Sequence, residues 1–172
     1  MYKAFLAHSS HDKFYTDIVA KRLSRARVVY DKQNFEPGAD FRESIRQGLD
    51  QSSLFVLFAS EQSLRSTWVR FEIDEAELRK ISGKLQGILV FVIDPKLEFR
   101  DLPEWMRRGR VVKEARPSQA ARLILTQLIY QIGKEATPLF VGREDLLRDA
   151  AHDIVPSGGQ RPPQLIVAPI RR

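Results

Sequence analysis

The chain has 172 residues, 28 Lys and Arg against 22 Asp and Glu, a net charge of +6, and no cysteine. That length allows one ordinary domain with a tail. The missing cysteines exclude disulfide frameworks, Cys-ligated zinc, iron–sulfur clusters and thiol nucleophiles.

Ala4-Phe5-Leu6-Ala7 is a short apolar run and reads as a buried strand. Phe14, Ile18 and Leu23, with Tyr15 and Val19 beside them, carry helical spacing. Ser9 or Ser10 is placed to cap that helix, and Asp12 to face its dipole. Val28-Val29-Tyr30 is a second strand. In Asn34-Phe35-Glu36-Pro37-Gly38-Ala39 the Pro-Gly pair reads as a tight turn. Asp40 then caps a helix, with Glu43 three residues on. Phe41, Ile45 and Leu49 form one face of that helix.

Residues 53–59 are a third strand, apolar on both faces, as a central parallel strand requires. A polar loop, Ser60 to Thr67, leads to a helix opening at Trp68, with Arg79 and Lys80 near its end. Residues 87–93 are a fourth strand. An irregular stretch holding Pro95 and Pro103 precedes a short fifth strand at Val111-Val112. A last helix starts at Pro117, runs through Leu125, Leu128, Ile129 and Ile132, and is expected to close at Gly133.

Strict alternation of strand and helix implies a parallel sheet covered on both faces. Right-handed crossovers reduce the choices to a doubly wound, flavodoxin-like α/β fold with five strands in the order 2-1-3-4-5. Its ligand crevice lies where strands 1 and 3 end. His8, Ser9, Ser10 and His11 flank it on one side, and Ser60 to Trp68 with the following helix flank it on the other.

A dinucleotide-binding Gly-x-Gly-x-x-Gly and a Gly-Lys-Ser/Thr phosphate loop are both missing. The first strand does not end in an acidic pair, which disfavours a magnesium-binding receiver domain. His8 and His11 lie three apart with no third ligand, so no metal site is expected.

Four stretches, in order, resemble one family. Residues 4–12 (Ala4 to Asp12) look like the first motif of TIR domains. Val29-Tyr30-Asp31 with Glu36-Pro37-Gly38 looks like that family's second strand and BB loop. Ser60 to Trp68, then Val69-Arg70-Phe71-Glu72, is similar to its Ser…Trp-x-x-x-Glu arrangement, and Phe99 to Trp105 resembles its last motif. The likeness covers residues 1–133. Members of the family either assemble with other TIR domains or cleave NAD+ at the nicotinamide–ribose bond, some cyclising the ADP-ribose. The enzymatic members resemble this chain in placing a Glu four residues after a Trp.

The resemblance implies Glu72 as the catalytic residue. Nicotinamide leaves as a neutral ring from a cationic pyridinium, so no general acid is required. What remains is an oxocarbenium-like ribose, which one carboxylate is able to stabilise. Glu75, near one turn on, is the understudy. His8, Ser9, Ser10, Asp31, Phe35, Asp40 and Trp68 are the expected substrate contacts. NAD+ is then substrate, with no cofactor, and other TIR domains are partners in an activated homo-oligomer.

The expected setting is bacterial immune signalling, anti-phage or cell-suicide. The alternative is a non-enzymatic TIR–TIR scaffold contacting partners through Phe35, Pro37 and Gly38. A more distant one is a nucleoside-deoxyribosyltransferase-like enzyme.

Residues 134–172 form a Pro- and Gly-rich tail or linker with a short helix. Leu139 to Leu147 resembles the lead-in to the ATPase module of STAND-type immune proteins. The N-terminus turns polar after five residues, too soon for a signal peptide, and no apolar run approaches the ~18 residues of a membrane span. A soluble cytoplasmic protein with no membrane partner is the expectation. The charge excess has an address: residues 1–99 hold 15 basic and 14 acidic side chains, and residues 100–172 hold 13 and 8. Spread-out arginines of this kind do not make a nucleic-acid face.

Overall fold

The computed structural model describes residues 2–30, 41–113 and 115–140. Five parallel strands form one sheet: β1 (Ala4–Ala7), β2 (Val28–Val29), β3 (Leu54–Ala59), β4 (Gly87–Val92) and β5 (Arg110–Lys113). Their order is β2-β1-β3-β4-β5, the doubly wound arrangement expected from the alternation. The register puts Ala7 beside Leu57, and Ala59 beside Val92.

The helices are α1 (Lys13–Leu23), α2 (Phe41–Asp50), α3 (Glu61–Arg65), α4 (Thr67–Ile81), α5 (Glu104–Arg107) and α6 (Pro117–Phe140). Period-two alternation along the strands sorts the core into two layers. Leu6, Val56, Phe58, Leu89 and Phe91 meet Val19, Ala20 and Leu23 of α1 and Ala120, Ile124 and Leu128 of α6. Phe5, Ala7, Phe55, Leu57 and Val90 meet Ile45 and Leu49 of α2 and Val69, Ile73 and Ala76 of α4. Every residue of β3 is buried, because its run is apolar on both faces. Gly48 lets α2 come close to the sheet: a Cβ there would lie 3.0 Å from both Phe5 and Val29.

Three local expectations are corrected. Phe14 does not face the core; it is 80% exposed, and Ile18 is only half-buried. The inward set is Thr16, Val19, Ala20 and Leu23, and Tyr15 donates its hydroxyl to the Ala115 carbonyl. A 3-10 turn at Ser10–Asp12 precedes the helix, and Tyr15, Val19 and Leu23 fit the i, i+4, i+8 spacing equally well. The stretch from Ser60 to Thr67 is not all loop, because a capping box between Ser60 and Ser63 opens α3. Gly133 does not end the last helix, which continues to Phe140. A single helical glycine costs only about 1 kcal/mol, too little to stop a strong helix.

Among the described residues no helix is long and apolar enough to cross a membrane. The described residues up to Lys134 form one compact unit.

Candidate functional site

The carboxyl ends of β1 and β3 lie side by side, and the turns that follow them are tied together. Ser9 is buried and donates its hydroxyl to Asp12 at 2.5 Å. Ser60, after β3, is also buried and donates to the same carboxylate oxygen at 2.6 Å. The Ser60 hydroxyl in turn accepts from the Ser63 amide at 3.0 Å, which caps α3. Asp12 therefore joins both walls of the switch point across 48 residues of sequence. The sequence reading assigned Asp12 to the dipole of α1. The Ser9-x-x-Asp12 spacing was the available signal for half of this clasp; the Ser60 half is purely tertiary.

His8 follows β1 half-buried, its Nδ1 3.2 Å from the Leu6 carbonyl. Its ring lies 6.4 Å from the ring of Tyr30, just past β2. Ser10 and His11 are exposed on the 3-10 turn.

Ser66 caps α4, accepting from the Val69 amide. Trp68 follows in the first turn, 41% exposed, with the Phe41 ring edge-on at 4.2 Å and 79°. Phe41 is the first residue of α2, so this aromatic pair joins the starts of the two helices. Glu72 is one turn further on and only 5% exposed. It shares the buried face of α4 with Val69, Ile73 and Ala76, and α4 packs on α2 and β1. A carboxylate on that apolar face is unusual, because burial of a charge is costly.

Glu75 has a different task. It accepts from Arg46 of α2 at 2.9 Å and from Arg79 at 2.7 Å. Arg79 also donates to Asp50 at 3.0 Å and to the Arg46 carbonyl at 3.2 Å. Burial pushes the Glu75 carboxyl up, but hydrogen bonds from Arg79 and Arg46 outweigh it and hold the group below its usual range. The Arg79 hydrogen bond, against some burial, likewise lowers Asp50. Between the aromatic pair and this ionic cluster, Arg42 and Arg46 both lie 5.5 Å from the Phe71 ring. Helices α2 and α4 are thus joined at both ends, and Glu72 lies on the stretch between.

The structure brings His8, Ser9 and Ser10 to the end of β1, and Trp68 and Glu72 to the start of α4. Asp31, Phe35 and Asp40, with Pro37 and Gly38, lie outside the described residues. Among the described residues no group of three or more His, Asp or Glu is arranged to hold a metal ion. Two cavities lie elsewhere. One, of about 400 Å3, sits between α4 and the Asp101–Arg107 stretch; the other borders the first residues of β4 and β5. Neither includes Glu72 in its lining.

Comparison with known proteins adds a family. The chain is 33% identical over 86 residues to a protein of Brucella melitensis biotype 1 named probable 2' cyclic ADP-D-ribose synthase TcpB. That match covers 48% of this chain and 34% of TcpB. The Brucella abortus protein of the same name is 31% identical over the same length. Toll-like receptor 2 of Canis lupus familiaris is 21% identical over 108 residues, 60% of this chain and 14% of the receptor. The chain therefore spans about a third or less of the length of these relatives. A family profile described as TIR domain matches residues 4–124, from the start of β1 into α6. With five parallel strands in the order 2-1-3-4-5 and this match over most of its length, the chain belongs to the TIR domain family.

Proposed function

We propose that this TIR domain is an NAD+ nucleosidase, a glycohydrolase or cyclase that breaks the nicotinamide–ribose bond. The observation that carries the reading is Glu72: a buried carboxylate one turn after Trp68, on the helix that leaves the switch point. The similarity to TcpB, named as a probable 2' cyclic ADP-D-ribose synthase, supports ADP-ribose chemistry.

The bond from ribose C1' to the pyridinium nitrogen breaks, and its electron pair leaves with neutral nicotinamide. Positive charge then develops on the ribose. A carboxylate in a water-poor setting stabilises that charge far better than one in bulk water. Water attacks C1' and loses a proton, giving ADP-ribose. An internal nucleophile of the same molecule in place of water closes a ring. We assign His8, Ser9, Ser10 and Trp68, with Asp31, Phe35 and Asp40 of the BB loop, as the substrate contacts. The setting we assign is bacterial anti-phage, cell-suicide signalling in the cytoplasm, with other TIR domains as partners.

The test is Glu72→Gln, which keeps the side chain's size and removes its charge. Nicotinamide release from NAD+ at high protein concentration is expected to fall about 100- to 1,000-fold, the usual effect of losing one transition-state stabiliser. Unchanged release from a folded variant refutes the role of Glu72. A second reading, a non-enzymatic TIR–TIR module, is favoured by the Toll-like receptor 2 matches, which extend over more of the chain than TcpB does. It requires NAD+ to stay intact at every protein concentration while self-association depends on Phe35, Pro37 and Gly38.

A further inference from the structure

The sheet has a second end. Gly87 opens β4 and Arg110 opens β5, and both border a cavity of about 520 Å3. Small-molecule sites commonly measure about 300–1,000 Å3. Strand β4 runs six residues from this cavity toward the carboxyl ends of the sheet, roughly 20 Å at 3.3 Å per residue. The cavity therefore opens at the end of the sheet opposite the switch point, and Glu72 is not among its lining residues.

Its lining combines two chemistries. Trp105, Ile81 and Ile88 supply flat and branched apolar surface. Lys80, Arg108 and Arg110 supply three cations against one carboxylate, Glu77. The three cations are not equally committed. Lys80 donates to the Gln86 carbonyl at 3.0 Å. Arg108 reaches Glu104 at 3.5 Å, but both side chains are about four-fifths exposed, where such a pair contributes little. Among the described residues no carboxylate pairs with Arg110.

The back of the cavity is fixed. Gln131 is buried and accepts from the Ser53 hydroxyl at 2.8 Å. Gln127, one turn before it on α6, lines the cavity. A Cβ at Gly87 would fall 2.8 Å from the Gln131 amide nitrogen and 3.6 Å from that of Gln127. The glycine allows this pair of amides to close over the first residue of β4.

We infer that this cavity is a second binding site, for an organic anion that carries a planar ring. The ring lies against Trp105 and Ile88, and a carboxylate or phosphate meets Arg108 and Arg110. A simple inorganic anion leaves the apolar wall unused. A neutral apolar molecule leaves the Arg110 guanidinium without a counter-charge. The inference does not depend on NAD+ cleavage.

The test follows the Trp105 indole and Gly109 amide signals in nitrogen-15 NMR spectra of the full 172-residue chain. Benzoate and phenyl phosphate carry ring and charge, benzyl alcohol the ring alone, and inorganic phosphate the charge alone. At least one of the first two is expected to shift both signals saturably, and their comparison distinguishes carboxylate from phosphate. Benzyl alcohol and inorganic phosphate are expected to bind at least tenfold more weakly. The double variant R108E/R110E should lose at least tenfold in affinity, and R108Q/R110Q serves if that variant does not fold. Glu72→Gln should bind the probe as the unaltered chain does. Non-saturable shifts, equal binding of inorganic phosphate, or undiminished binding by the folded arginine variants would each overturn the inference.

Discussion

Removing Asp12 tests whether the switch point is held by one carboxylate. Its single oxygen accepts from Ser9 at 2.5 Å and from Ser60 at 2.6 Å, and both serines are buried. A hydrogen bond to a charged group contributes about 1.5–3 kcal/mol. Because the two bonds share one oxygen, and Ser60 keeps its contact with the Ser63 amide, Asp12→Ala should cost about 3 kcal/mol. Asp12→Asn keeps one acceptor and should cost about half of that. For a chain of this size 1 kcal/mol lowers the melting temperature by about 2–4 °C, so the alanine variant should melt about 6–12 °C lower. Urea unfolding followed by circular dichroism gives the free energies. A double-mutant cycle with Ser60→Ala isolates the contact between the two walls, with an expected coupling of about 1 kcal/mol or more. Strict additivity, or a loss under about 0.5 kcal/mol for Asp12→Ala, would refute the clasp.

Arg79→Met should cost about 2–3 kcal/mol, below the range for a fully buried pair because Arg46 still reaches Glu75; a thermal melt unchanged from the parent would contradict this. Glu75 and Asp50 are held below their usual range, so their contribution is complete above the unfolded values and is lost as pH falls through the lowered folded ones. Below about pH 4.5 the urea midpoint should therefore drop, and drop less in Glu75→Gln; equal drops would exclude Glu75 as the source. Tyr15, pushed up to about 12 by burial, should still be protonated at about pH 11 in an ultraviolet titration. Tyr15→Phe should remove that late step, and its persistence would reassign it.

The strands were legible because β3 and β4 are continuous apolar runs, a pattern with few alternatives at that length. The face of α2 was legible because Phe41, Ile45 and Leu49 repeat cleanly. The face of α1 was not: Phe14 with Ile18, and Tyr15 with Val19, satisfy the same period, and only packing on Phe58 selects the second set. Trp68 and Glu72 were singled out by their likeness to the TIR Trp-x-x-x-Glu arrangement, and the structure puts both on α4. The ionic cluster of Arg46, Glu75, Arg79 and Asp50 joins residues 29 positions apart, a distance at which sequence pattern carries no pairing information. Ser60 was visible as a polar residue after a strand, but its link to Asp12 exists only once β1 and β3 are neighbours.

The two margins of the sheet differ from its interior. β2 is only Val28–Val29, and β5 begins with Arg110 and ends with Lys113. A two-residue margin offers too few free amides and carbonyls to template another strand, and a margin flanked by solvated cations resists one. Growth of this molecule into a larger array by strand addition is thereby discouraged at both margins. Among the described residues, the surfaces left for meeting another copy are those of helices and turns, where side-chain chemistry sets the contact.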